Sequence, residues 1–326
     1  MERNLLVDRL KGYACFLVLF GHVIMGVRVA GIAMPRFFLG LEPFIWSFHV
    51  ALFLFLSGVV YRLTGEWRGR RTRLGFIGHK LLTLGVPYVT FSAIYILINC
   101  FVGQVNTPFS PGDILLIWKT PVAQYWFLYA LFFLFCIWTV CSERLKNWQI
   151  LLVCLLVGYG FPLLGWSPDC FVTVFFAALP FGMGTIVDFD RLTRPSAPVK
   201  WLVIPAHVGA GVLFVTANKI ETPFVKEFML LLGIYASILL ISMLHRCSLI
   251  ARFLDFMNRY SFQTYLLHTI FTAGIRIVLL RVGVAQWWIH VLLGTVFGIA
   301  CSVLAAEIAK RVKPLNFFFF PAKFLK

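Results

Sequence analysis

An all-α integral membrane protein, with about ten transmembrane helices, both termini cytoplasmic and no soluble domain, is what three features of this chain call for. Of its 326 residues, 60% are hydrophobic and only 13% are charged, roughly half the charged share of a soluble domain; mean hydropathy is +0.89. Apolar runs of about 20 residues, enough to cross a ~30 Å hydrocarbon layer, recur from end to end. The segments between them alternate between rich and poor in Lys and Arg, as the positive-inside rule requires. The whole chain, 1–326, reads as one transmembrane domain.

The first span, about 10–30, follows Asp8 and Arg9. No small-residue cleavage site ends it, so it is expected to be retained. The second, about 43–63, starts at Pro43 and stops before the arginine-rich EWRGRRTRLGFIGHK (66–80). The third, about 80–103, contains Pro87, and the fourth, about 124–142, opens on Tyr125 and Trp126. The fifth and sixth, about 149–166 and 170–187, hold Pro162 and Pro180, tolerated in a span where neighbours satisfy the freed carbonyls. The seventh (about 199–217), eighth (about 226–244), ninth (about 260–280) and tenth (about 286–309) complete the set. The tail NFFFFPAKFLK (316–326) has the rings and lysines of an interfacial anchor. With the N-terminus inside, 22 of the 29 Lys and Arg fall in cytoplasmic segments. The net charge of +16 therefore reflects topology, and no nucleic-acid motif accompanies it. Eight scattered cysteines form no C-x-x-C pair. They read as small buried hydrophobes, with neither a disulfide framework nor a metal site expected.

Ionisable side chains inside a membrane are costly and are functional candidates by default. Of seven histidines, His79 and His245 fall at span ends, while His207 and His290 read as helix-packing residues. His22 differs. From a cytoplasmic start near Leu10 it lies roughly 18 Å along the first helix, past the midplane. The second span runs the other way and puts His49 about 9 Å below the outer surface. Two imidazoles then share one level, which suggests a polar cavity. Lys11 precedes His22 by almost three helical turns, so both lie on one face, about 16 Å apart. Asp8, one turn earlier, can pair with Lys11. This face suits an elongated ligand with an anionic head at the cytoplasmic mouth and a reactive end deep in the membrane. Arg68, Arg70, Arg71, Arg73 and Lys80 would flank that mouth, either as a phosphate clamp or as contacts to anionic headgroups.

DRLKGYACFLVLFGH (8–22), SFHVALFLFLSGVVY (47–61), HKLLTLGVPY (79–88), YWFLYALF (125–132) and YLLH (265–268), in that order, resemble the membrane-bound acyltransferase-3 family, and most closely its sugar O-acetylase-like branch with a Lys-Gly pair in the first helix. The resemblance implies transfer of an acyl group, acetyl above all, from cytoplasmic acyl-CoA to a hydroxyl of a cell-surface or secreted polysaccharide or its lipid-linked precursor. It implies a bacterial cytoplasmic membrane, acetyl-CoA as co-substrate with no permanently bound cofactor, and polysaccharide-assembly proteins as partners beside the lipid bilayer. It makes His22 the catalytic histidine. Many members have Arg where this chain has Lys11, and a lysine offers a point charge rather than a planar fork. On this scheme His22 is the general base, uncharged because a charge out of water is costly. His49 orients the acceptor or the oxyanion, and Glu42 binds a sugar hydroxyl or partners His22. Lys11, Asp8, Arg70, Arg71, Arg73, Lys80, Tyr265 and His268 bind acyl-CoA, with Tyr265 and His268 roughly 10 Å from the inner surface beside its arm. Trp126 and Tyr125 offer ring faces to the sugar. A covalent route through an acyl-His22 stays open. The competing classes are a transporter or flippase for a lipid-linked glycan, an acyltransferase for a small metabolite, and a receptor or scaffold without chemistry.

Overall fold

The computed structural model describes residues 4–64, 72–102, 109–194 and 196–324. Among these residues the chain is helical throughout, with no strand. In chain order the helices are α1 (Leu5–Val29), α2 (Arg36–Trp46), α3 (His49–Thr64), α4 (Arg73–Lys80), α5 (Val86–Val102), α6 (Trp126–Cys141), α7 (Asn147–Leu163), α8 (Asp169–Phe176), α9 (Ala178–Ile186), α10 (Phe189–Leu192), α11 (Ala197–Thr216), α12 (Pro223–Leu244), α13 (Ser248–Arg259), α14 (Ser261–Arg281), α15 (Trp287–Arg311) and α16 (Lys313–Phe319). Nine helical stretches among the described residues are long and apolar enough to cross a membrane. The predicted fifth span is the exception: its helix, α7, has 17 residues.

Three boundaries differ from those predicted, each for a local reason. The second span begins earlier, at Arg36, and breaks between α2 and α3 at Ser47–Phe48. There the Ser47 hydroxyl donates to the Phe44 carbonyl at 2.7 Å, a back-bond that bends helices. The third span begins at Arg73, because α4 runs into α5 through a π turn at Leu81–Gly85. Pro87 has no N–H to offer the preceding turn, and the Val86 N–H reaches back five residues to the Leu81 carbonyl. The segment holding Arg252 and Arg259 is no loop but the helix α13. Its apolar residues recur at three- and four-residue spacing, a pattern too short to stand out as a span.

The chain forms two compact units. The first comprises Met1–Leu56 and Asp188–Glu307. Its axis is α1, which packs against α2, α12, α13 and α14. Residues on all sides of α1 are buried, which is why it is apolar all round rather than striped. Leu17 and Ile24 meet Ile45 and Phe48 on one side, and Leu19, Val23 and Val27 meet Val291 on another. The N-terminal end of α1 is fixed by charge: Arg9 makes a bidentate pair with Asp255 (2.9 and 3.0 Å) and donates to the His245 carbonyl at 2.8 Å. Gly12 is needed because α13 crosses there; a Cβ at this position would stand 2.2 Å from the Leu254 carbonyl oxygen.

The second unit comprises Ser57–Val187 and Ile308–Lys326. In it α7 packs on α9, α6 on α4 and α8, and α16 on α5. Tyr61, Phe76, Phe135 and Phe181 form an aromatic cluster with centroids 5.4–6.1 Å apart, the spacing at which edge-to-face rings attract. The indole of Trp138 donates to Thr185 at 3.1 Å.

Candidate active site

The site grows from the register of α1 against α14. The Cys15 thiol lies 3.6 Å from the Ser261 carbonyl. Seven residues further along each helix, His22 meets His268, with ring centroids 4.9 Å apart and planes inclined by 55°. The two helices therefore run in the same direction, and both histidines lie about 10 Å beyond the Cys15–Ser261 level. His268 thus sits at the depth of the proposed catalytic residue, not midway along a path toward it.

The bend between α2 and α3 supplies the other wall. It presents Trp46 and His49 three residues apart, on one side of a helical turn. The Trp46 indole stands edge-on to His22, centroids 5.2 Å apart, and 5.5 Å from the ring of His49. Its Nε1 packs against α1 at Gly21. His49 is 1% exposed, His268 is 0% exposed, and His22 is part-exposed. The three imidazoles are close enough for their charges to interact. Out of water, two like charges at that range repel strongly, so the cluster is suited to carry at most one positive charge at a time.

The hydrogen bonds assign tautomers. The Nδ1 of His49 lies 2.8 Å from the Ile45 carbonyl. The Nδ1 of His268 lies 2.9 and 3.0 Å from the carbonyls of Thr264 and Tyr265. A carbonyl can only accept, so in both rings Nδ1 holds the proton and Nε2 is left as an acceptor. Nε2 of His268 and Nδ1 of His22 are both buried without a hydrogen-bond partner. Orphaned buried polar atoms cost about 1–3 kcal/mol each and are rare. Here two of them lie on facing rings.

Of the other predicted residues, Glu42 lies near the C-terminal end of α1, against Arg28. It is 7% exposed, and both its oxygens are held by Arg28, at 2.6 and 2.8 Å. Lys11 and Asp8 are part-buried on α1, Lys11 one residue before the α13 crossing at Gly12. Tyr265, at 9% exposure, lies one turn before His268. In the second unit, Arg73 pairs with Glu143, and the Lys80 ammonium lies over the rings of Phe135 and Phe76, at 4.4 and 5.0 Å. Tyr125 is fully buried with its ring beside Phe91 and Tyr95, and Trp126 is part-buried next to Phe127. Arg70 and Arg71 lie outside the described residues. Sequence reasoning passed over Trp46, although its position three residues before His49 was visible, and Arg28, whose partner fourteen residues away no helical period reveals. His207, read as a packing residue, is clamped between Phe44 and Phe48 at 4.7 and 4.9 Å.

Among the described residues, no group of three or more His, Cys, Asp or Glu side chains is arranged so that it could hold a metal ion. Comparison with curated proteins and with solved structures returns no match. A family model described as an acyltransferase domain, that of the acyltransferase-3 family, matches residues 4–307, nearly the whole chain. With its apolar helices and its histidines packed along α1, the chain belongs to the acyltransferase-3 family and is a multi-pass membrane acyltransferase.

Proposed function

We propose that the protein transfers an acyl group, acetyl in the simplest case, from cytoplasmic acyl-CoA to a hydroxyl of a cell-surface or secreted polysaccharide or its lipid-linked precursor, with His22 as general base. The protein would reside in the bacterial cytoplasmic membrane with both termini inside, the orientation favoured by its basic residues. The observation that carries this reading is the part-exposed imidazole of His22, set among His268, Trp46 and His49 in the middle of an unbroken α1.

In this scheme the anionic nucleotide of the donor binds at the Lys11 end of α1, and its neutral arm follows the helix to His22, about 16 Å away. His22 takes the acceptor's hydroxyl proton as the oxygen attacks the thioester carbonyl. The C–S bond then breaks, and the leaving thiolate takes the proton back from His22, giving the ester and free CoA. A positioned base contributes about 10²–10⁴-fold to such a step. The Trp46 and His49 side faces the acceptor and excludes water. Glu42, with both oxygens on Arg28, shapes the outer end of the unit rather than receiving protons.

The test is to replace His22 with Ala and follow two signals: free thiol released from acetyl-CoA by membrane vesicles, and acetyl esters on surface glycans by mass spectrometry. Both should fall at least ~10²-fold at equal protein level. Undiminished transfer would remove His22 from the chemistry. A wild-type protein that moves glycan without releasing thiol would replace the acyltransferase reading with a transport one.

A further inference from the structure

We propose that His268 is a positioning residue that sets the tautomer of His22. The inference rests on the general-base reading above. For His22 to accept a substrate proton, one ring nitrogen must present a lone pair. The buried Nδ1 faces the protein interior, while the residue keeps part of its surface accessible. The productive tautomer therefore has the proton on Nδ1 and the lone pair on Nε2, toward the accessible side.

A proton on buried Nδ1 needs an acceptor. His268 is built to be one. Its own Nδ1–H is committed to the carbonyls of Thr264 and Tyr265, so its Nε2 can only accept. That atom is buried and unpartnered, in a ring 4.9 Å from that of His22. The inferred hydrogen bond runs from His22 Nδ1–H to His268 Nε2, between rings whose centroids lie 4.9 Å apart. When His22 Nε2 then receives the acceptor's proton, the resulting imidazolium keeps that hydrogen bond. The bond strengthens with charge, so it favours the protonated state that forms during attack. No proton leaves His268, and the proton on His22 Nε2 goes on to the thiolate. Because the partner is neutral, the positive charge is stabilised only modestly. This suits a base that must release its proton within the same turnover.

Two arms test the proposal. In wild-type protein with ¹⁵N-labelled histidine, long-range ¹⁵N–¹H correlation should find the His22 proton on Nδ1; a proton on Nε2 overturns the proposal whatever the variants do. In the kinetic arm, His268→Leu removes the acceptor, and His268→Gln restores one through its side-chain oxygen. His268→Leu should lower kcat for thiol release by about 10²-fold with the KM for acetyl-CoA little changed. His268→Gln should recover at least tenfold of that loss. Equal kcat in wild type and His268→Leu, or equally impaired Leu and Gln variants of normal thermal stability, overturns the positioning role. His22→Ala in the same assay separates the two claims. If it retains wild-type transfer, the general-base reading falls; if it loses transfer while His268→Leu does not, only the positioning role falls.

Discussion

The two ends of α1 and its middle solve the same problem in opposite ways. At the N-terminal end Arg9 is held by both oxygens of Asp255 and by a backbone carbonyl. At the other end Arg28 is held by both oxygens of Glu42. In the middle, His22 and His268 face one another with a buried nitrogen each and no hydrogen bond to either. Charges that only build the bundle are paired, because an unpaired charge in low dielectric is costly. The imidazoles tolerate incomplete pairing because they can remain neutral, and the unmet capacity is what chemistry requires. On the proposed mechanism, incomplete satisfaction, more than the mere presence of polar groups, separates the working part of this helix from its supports.

That contrast can be broken in order of expected effect. His22→Ala should reduce acyl transfer at least ~10²-fold while leaving thermal unfolding in detergent nearly unchanged, since it removes an unsatisfied group. A large stability loss would show the middle to be structural after all. Arg28→Ala should do the reverse. It strands the carboxylate of Glu42, which is 7% exposed, and should cost about 1.5–3 kcal/mol. Glu42→Ala should cost less, because the Arg28 side chain is 48% exposed and can be solvated. Equal costs, read from heated-sample retention on gel filtration, would mean the Arg28–Glu42 pair is not buried on one side as described. Gly12→Ala should cost about 1–3 kcal/mol by overpacking, with α13 pushed off α1. An unchanged melting temperature would mean that the crossing relaxes freely.

The smallest effect belongs to the second unit. Hydrogen bonding to Arg73 holds the exposed carboxyl of Glu143 below the usual carboxylate range. A carboxylate lowered by folding stabilises above its unfolded value, about 4.3, and stops doing so as pH falls through its folded one. The small difference in melting temperature between wild type and Glu143→Gln should be present at neutral pH and fade as pH falls below about 4.3. A difference that persisted in acid would assign it to something other than the ion pair.

Much of the fold was legible because a bilayer imposes a one-dimensional rule: each crossing needs a long apolar run. Misread boundaries lay where local chemistry overrides that rule, as at Ser47, where a hydroxyl bends the helix, and at the π turn before Pro87. The helix α13 was missed because it does not span. The place of His22 in the candidate site could be read from its depth and from its spacing to Lys11. That of His49 was legible only as a shared depth, and that of Trp46 not at all, since both depend on the bend between α2 and α3.

The sequence by itself determined the helical membrane class and the alignment of Lys11 with His22 on one helix face, because hydropathy and helical period are properties of a single segment. Only the tertiary structure decided that His268 stands against His22 and that Glu42 belongs to Arg28. Partners 246 and 14 residues apart in the chain meet through helix register and crossing, which no local pattern specifies.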